Sequence, residues 1–165
     1  GGHCIPIDPF YLSWKAKEAG FEARFIELAG QVNSSMPYYV MSKINDCLND
    51  AGKSIRGSNI HVLGVAYKED IDDVRESPAL DVIRLLSDRG GVVTYSDPHV
   101  PVLEEAGIEL RSEEPTPDRL AKADCLVIVA AHNAFDYDAI AGAGTPIVDT
   151  RNALKGYEGP HISRI

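Results

Sequence analysis

Residues 59–67 read NIHVLGVAY and residues 77–91 read SPALDVIRLLSDRGG. The first is a short apolar run without strict alternation, bounded by turn residues, which is the pattern of a strand buried on both faces. The second is an amphipathic helix, with Ser77 as N-cap, Pro78 at the first helical position and Gly90 at its end. The same alternation continues downstream. VVTYSDP (92–98), ADCLVIVAAH (123–132) and TPIVDTR (145–151) read as further strands, and short helices are expected at 100–106, 118–121 and 136–141. Strands alternating with helices predict a doubly wound parallel sheet. Residues 58–165 therefore read as a Rossmann-like, three-layer α/β domain.

Residues 1–57 differ in character. Gly1, Gly2, Pro6 and Pro9 break up residues 1–12, which read as a loop, and a helix follows from Ser13 to Gly20. A longer helical stretch runs from Phe25 to Gly52, with Tyr39, Val40, Ile44, Cys47 and Leu48 forming its apolar stripe. Pro37 marks either a new first turn or a kink. GKSIRGSN (52–59) reads as a linker or turn.

Composition narrows the function classes. The 165 residues are 44% hydrophobic and 25% charged, enough for a packed core. A net charge of −9 disfavours nucleic acid or an anionic membrane as partner. Neither a membrane span nor a signal peptide is recognisable. Cys4, Cys47 and Cys125 are odd in number and far apart, without metal-type spacing, so free thiols in a reducing, cytoplasmic compartment are expected and no metal.

A Rossmann-like sheet invites a dinucleotide, but the GxGxxG turn is missing. After VLGVAY comes KEDIDDVRES, and AGAGT (141–145) precedes a strand instead of following one. Three other stretches carry chemistry. In GGHCIPIDP (1–9), Cys4 is placed to act as a nucleophile and Asp8 to hold a water, or else Cys4 is a small hydrophobe and Asp8 a turn residue. In GVAYKEDIDDVRESPAL (64–80), Lys68 and Arg75 either hold a phosphate or pair with the neighbouring carboxylates. In VDTRNALKG (148–156), Arg151 follows a strand, and two cations after two strands suit a diphosphate.

Taken together, GGHCIPIDP, LGVAYKEDIDDVRESPALDVI (63–83), DCLVIVAAHNAFD (124–136) and VDTRN (148–152) resemble, in order, the UDP-glucose/GDP-mannose dehydrogenase family. The resemblance implies NAD-dependent oxidation of the C6 alcohol of a nucleotide sugar to a carboxylate. It implies Cys4 as the nucleophile that forms a thiohemiacetal and then a thioester, with Asp8 assisting water activation. It further implies Gly1, Gly2, Tyr67, Lys68 and Arg151 at the UDP-sugar, Arg75 reaching the NAD, and a homodimer built on the helix at about 32–51. That helix equally suits simple core packing.

Ile7 stands where some relatives carry lysine. The family's catalytic lysine falls before Gly1, so this chain alone is expected not to turn over. The wording of residues 1–33 resembles members acting on UDP-N-acetylglucosamine or related UDP-hexosamines, with UDP-glucose the close alternative. Two other classes compete: a free-standing nucleotide-binding module, and a cysteine-dependent acyl hydrolase pairing Cys4 with His61, His99, His132 or His161.

Overall fold

The computed structural model describes Cys4 and residues 7–165. Two helices lead the chain, α1 (Asp8–Glu18) and α2 (Arg24–Asp50). Then come β1 (Asn59–Leu63), α3 (Pro78–Asp88), β2 (Val92–Ser96), β3 (Val102–Glu105), β4 (Ile108–Arg111), α4 (Pro117–Lys122), β5 (Cys125–Ile128), α5 (Tyr137–Gly142), β6 (Ile147–Asp149) and β7 (Ile162–Arg164). Five strands form one parallel sheet in the order β2-β1-β5-β6-β7. The α/β three-layer expectation holds.

Alternate residues of each strand feed the two layers. Cys125 and Val127 of β5 pack with Val40, Ile44 and Leu48 of α2 and with Val82 and Leu86 of α3. Leu126 and Ile128, pointing the other way, pack with Leu120 of α4 and Ile140 of α5. Ser77 caps α3 by accepting from the Ala79 amide at 3.3 Å, with Pro78 in the first turn and Gly90 past the end at φ +82°.

Four details depart from expectation. The helix expected from Ser13 begins at Asp8, because Pro9 occupies the first turn, where a missing N–H costs nothing. Residues 64–67 leave the strand, since Gly64 turns the chain at φ +80°. A Cβ on Gly64 would overlap the Ala130 carbonyl, so this glycine serves a close crossing of two loops. The segment 100–106 is no helix. Val102–Glu105 pairs antiparallel with Ile108–Arg111 in a hairpin, with Ala106 and Gly107 both at positive φ and Leu103 opposite Leu110. Finally, β7 is a strand the pattern did not announce. It is only three residues long, too short for a periodicity signal.

α2 runs unbroken through Pro37, so that proline starts no new helix. α1 packs on α2 where Phe10 meets Gly30, and any Cβ at Gly30 would overlap the Phe10 ring. Ser13 adds a 3.0 Å hydrogen bond to Glu27, which also pairs with Lys17.

Candidate functional site

The chain leaves β1 for β2 on one side and returns to β5 on the other, so strand order reverses between β1 and β5. In open parallel sheets the ligand crevice lies at the carboxyl ends of strands flanking such a point. A cavity of about 230 Å³ is found there. Tyr67 borders it from the loop after β1, Val129 from the loop after β5, and Thr150 and Arg151 from the loop after β6. Asn33 and Pro37 of α2 close another wall. Proline has no N–H for the carbonyl four residues earlier, so α2 lacks a helical donor for the Asn33 carbonyl at that wall.

Two buried carboxylates hold the loops. Asp149 ends β6, and its carboxylate accepts from the amides of Arg151 (3.0 Å), Ala153 (3.2 Å) and Leu154 (2.9 Å). Thr150 donates its hydroxyl to the Ile128 carbonyl at 2.8 Å, tying this loop to β5. Asp97 follows β2, and accepts from the amides of Val65 (2.7 Å), Ala66 (3.2 Å), His99 (2.8 Å) and Val100 (3.1 Å). Burial by itself pushes the Asp97 carboxyl up. The bond from His132 and the surrounding amides outweigh that, and the group is held below the usual carboxylate range.

His132 completes the arrangement. It is fully buried, with Nε2 3.0 Å from Asp97 and Nδ1 accepting the Asp70 amide at 2.9 Å. A backbone amide can only donate, so Nδ1 carries the lone pair and the ring proton sits on Nε2, directed at Asp97. Asp70 stands at φ +59°, and its carboxylate accepts from the Asn133 amide at 2.9 Å and from the Asn133 side chain. Asp70, His99 and His132 hold ligand-capable atoms within 4.8 Å of one another. The Nδ1 lone pair of His132 is already taken, so the group is a hydrogen-bond network and not a ready metal-ligand set.

The cations behave differently from one another. Arg75 pairs with Asp73 through Nε (3.0 Å) and Nη2 (2.6 Å), the neighbour pairing the loop composition allowed, and that bond raises its pKa. Lys68 and Arg151 are exposed, and among the described residues no carboxylate pairs with either. Cys4 is also exposed. Its carbonyl accepts from the Ile7 and Asp8 amides in the turn that opens α1, which Asp8 begins. Neither Cys4 nor Asp8 borders the cavity. Gly1 and Gly2 lie outside the described residues.

The histidines do not support an acyl hydrolase. His61 bonds Thr94 and Ser96, His132 bonds Asp97, and His161 bonds the Ala141 carbonyl. His99 packs against the His132 ring at 5.0 Å between centroids. Within the described residues none is bonded to Cys4. Nor does the sheet offer a dinucleotide cradle, since the one glycine at the end of β1 is spent on Ala130 and acidic residues follow.

Comparison with known proteins fits this geometry. Residues 61–156 match the UDP binding domain of the UDP-glucose/GDP-mannose dehydrogenase family, and residues 1–35 match that family's central domain. The chain belongs to the UDP-glucose/GDP-mannose dehydrogenase family. It is 34% identical over 157 residues to an NDP-N-acetyl-D-galactosaminuronic acid dehydrogenase of Ralstonia solanacearum, covering 92% of this chain and 34% of the relative. It is 35% identical over 162 residues to a UDP-N-acetyl-D-mannosamine dehydrogenase of Methanococcus vannielii, covering 93% and 35%.

The structure of a UDP-D-ManNAc dehydrogenase from Pyrococcus horikoshii superposes with a TM-score of 0.79 at 27% identity, over 100% of this chain and 38% of that one. A UDP-glucose dehydrogenase from Pyrobaculum islandicum gives 0.79 at 28% identity, over 99% and 37%. This family member thus spans about a third of the length of the relatives it matches. No described helix is long and apolar enough to cross a membrane.

Asp97 and Asp149 escaped the sequence reading as site residues, and His132 entered it only as a possible partner of Cys4. Each is a polar residue at or just after the end of a buried strand, and that position was the available signal.

Proposed function

We propose that this chain is the nucleotide-sugar-binding part of an NAD-dependent UDP-sugar 6-dehydrogenase whose substrate is a UDP-N-acetylhexosamine. The observation that carries the reading is the crevice at the strand ends, where Tyr67 and Arg151 border one cavity, Lys68 follows Tyr67 without itself lining it, and neither cation has a carboxylate partner among the described residues. The guanidinium fork of Arg151 takes two phosphate oxygens, the Lys68 ammonium adds a point charge, and the Tyr67 ring packs on the nucleotide. Gly1 and Gly2, by the family resemblance, contact the sugar.

Cys4 is the nucleophile toward the C6 aldehyde: its sulfur bonds to C6 as the carbonyl π bond opens, and the thiol proton ends on the C6 oxygen, giving a thiohemiacetal. Asp8 accepts a proton from the water that later hydrolyses the acyl group. A nicotinamide cofactor supplies hydride acceptance. The described sheet has no cradle for it, and Arg75, exposed and held by Asp73, is the described residue that would reach it.

The relatives named for UDP-N-acetyl-D-mannosamine and for NDP-N-acetyl-D-galactosaminuronic acid support the N-acetylated sugar class. UDP-glucose is the second reading, favoured by the equal superposition on a UDP-glucose dehydrogenase. The exposed aromatic face of α1 and α2 supports a homodimer through α2, and three cysteines held as free thiols support a cytoplasmic location.

Isothermal titration of this chain with UDP tests the core of the reading. One UDP is expected per chain, with UMP binding more weakly and no NADH formed from any UDP-sugar plus NAD. Absence of UDP binding would sink the proposal. The order of affinity among UDP-N-acetylmannosamine, UDP-N-acetylglucosamine and UDP-glucose separates the two substrate readings.

A further inference from the structure

The segment 65–70 carries Tyr67 and Lys68 and belongs to no helix or strand. It is tied at both ends to one buried pair. At its start the Val65 and Ala66 amides donate to Asp97, and at its end the Asp70 amide donates to His132 Nδ1. Asp97 and His132 are themselves joined by a 3.0 Å hydrogen bond. These groups come from three different strand-end loops, after β1, β2 and β5, so the pair works as a clamp across the crevice. From Asp70 the tie continues to Asn133, one residue beyond His132.

We infer that His132 is a positioning residue for nucleotide binding, fixing through the Asp70 amide the loop that presents Tyr67 and Lys68. The inference rests on the proposed UDP site and adds the group that sets its geometry. His132 has a single hydrogen-bonding pattern that fits, acceptor at Nδ1 and donor at Nε2. A ring with both nitrogens protonated would set two donors, Nδ1–H and the Asp70 amide, against each other. The carboxylates of Asp97 and Asp70, the His99 ring and the Tyr137 hydroxyl on the His132 carbonyl are the polar groups that face it from neighbouring elements. Phe135 closes the apolar side, with ring centroids 5.5 Å apart.

Two amide variants separate the two halves of the clamp. His132→Asn sets an amide oxygen at the Nδ1 position and keeps an acceptor for the Asp70 amide. His132→Gln sets an NH₂ at the Nε2 position, keeps the donor to Asp97, and leaves the Asp70 amide without a partner. The experiment is titration of each variant with UDP, alongside hydrogen exchange at the Asp70 amide and ¹⁵N chemical shifts of the His132 ring.

The unaltered chain is expected to show a protonated Nε2, a bare Nδ1 and a slowly exchanging Asp70 amide. His132→Gln is expected to weaken UDP binding about tenfold and His132→Asn less than threefold, with Asp70 protection lost only in the former. Should neither variant fold, the unaltered chain carries the test: UDP is expected to slow exchange of the Asp70 amide further, and a protonated His132 Nδ1 or an Asp70 amide that exchanges fast with and without UDP would overturn the inference.

Equal losses in Asn and Gln variants, tracking stability, would reduce His132 to a core residue and overturn the inference. So would unchanged UDP affinity in His132→Gln with Asp70 exchange accelerated. No UDP binding by the unaltered chain would instead strike the functional reading itself, and this inference with it.

Discussion

The two ends of the chain treat their apolar residues in opposite ways. From Val40 onward most large hydrophobic side chains go inside. Ile44, Leu48, Ile60, Leu63, Leu126, Ile128 and Ile147 are all fully buried. Before Val40 most stay out, with Tyr11 and Trp14 of α1, Phe21 in the turn after it, and Phe25, Leu28 and Tyr38 of α2 exposed. One helix, α2, belongs to both regimes. Its last turns complete the sheet's core and its first turns carry Phe25, which is 88% exposed. The sheet unit closes its own core, and the helical arm leaves its apolar side chains open. Surface of this kind is what the proposed homodimer would cover.

The sharpest way to break that comparison is to truncate one large side chain on each side of it. Leu126→Ala, in the middle of β5 and packed between α4 and α5, is expected to cost about 3 kcal/mol of unfolding free energy. Phe25→Ala is expected to cost less than about 0.5 kcal/mol, because an exposed ring loses no burial. Phe25→Ala should instead lower self-association in sedimentation velocity. Urea denaturation gives the first pair of numbers. Equal costs would show that the arm is part of the same core after all.

A second prediction concerns acid, and its main target is a buried histidine of the sheet unit. His61 is buried between Thr94 and Ser96, and burial, with a smaller push from the Arg119 charge, lowers its pKa to about 4. The unfolded chain binds the proton near the ordinary histidine value of 6.5, so between pH 6.5 and 4 the unfolded state holds more protons than the folded one. Stability therefore falls as pH drops through that window, by up to about 3 kcal/mol for this group. Asp97 and Asp124, both held below the usual carboxylate range, add their losses at lower pH. In His61→Gln, urea unfolding at pH 6.5 and 4.5 should give nearly the same free energy. A slope unchanged from the parent would assign the acid sensitivity to another group.

How much of this was legible follows from the distance over which each signal acts. Ser77–Pro78 and Gly90 mark their helix by local chemistry, and the apolar runs at 59–63 and 125–128 need no partner to be recognised. The hairpin at 102–111 was misread because its strands are four residues each and its turn carries alanine where asparagine or glycine usually gives the sign. α1 was entered late because Pro9 reads as a breaker in any window that does not know it stands in the first turn. Cys4, Lys68, Arg75 and Arg151 stood out from residue type and from family wording. The clamp did not: Asp97 and His132 are 35 positions apart, and only the parallel order of β2, β1 and β5 brings them together. Local chemistry is written in short stretches, whereas the second layer of a site is written in topology.

The third test sits on the boundary between the regimes, where α2 covers the crevice. Arg151→Ala is expected to weaken UDP binding about tenfold, close to 1.4 kcal/mol, with little change in stability because the guanidinium is exposed. Arg151→Lys should recover only part of that, since an ammonium cannot take two oxygens at once. Full recovery in the lysine variant would mean that Arg151 contributes charge alone.

The smallest expected effect asks to which unit the hairpin belongs. Leu103 is fully buried against Val65, Tyr95 and Val100, so the hairpin should unfold with the sheet and not fray by itself. Its turn holds Ala106 at φ +52°, a region that costs an L-residue with a Cβ about 1 kcal/mol. Ala106→Gly relieves that strain but gives the unfolded chain more freedom, leaving a net gain of about 0.5 kcal/mol. If the hairpin is part of the cooperative unit, this gain appears in the global urea midpoint at unchanged slope. If the hairpin opens independently, the midpoint stays where it was and only hydrogen exchange at Ile108 and Leu110 slows. The sheet unit would then end at β2, and the self-closing half of the molecule would be smaller than its buried residues imply.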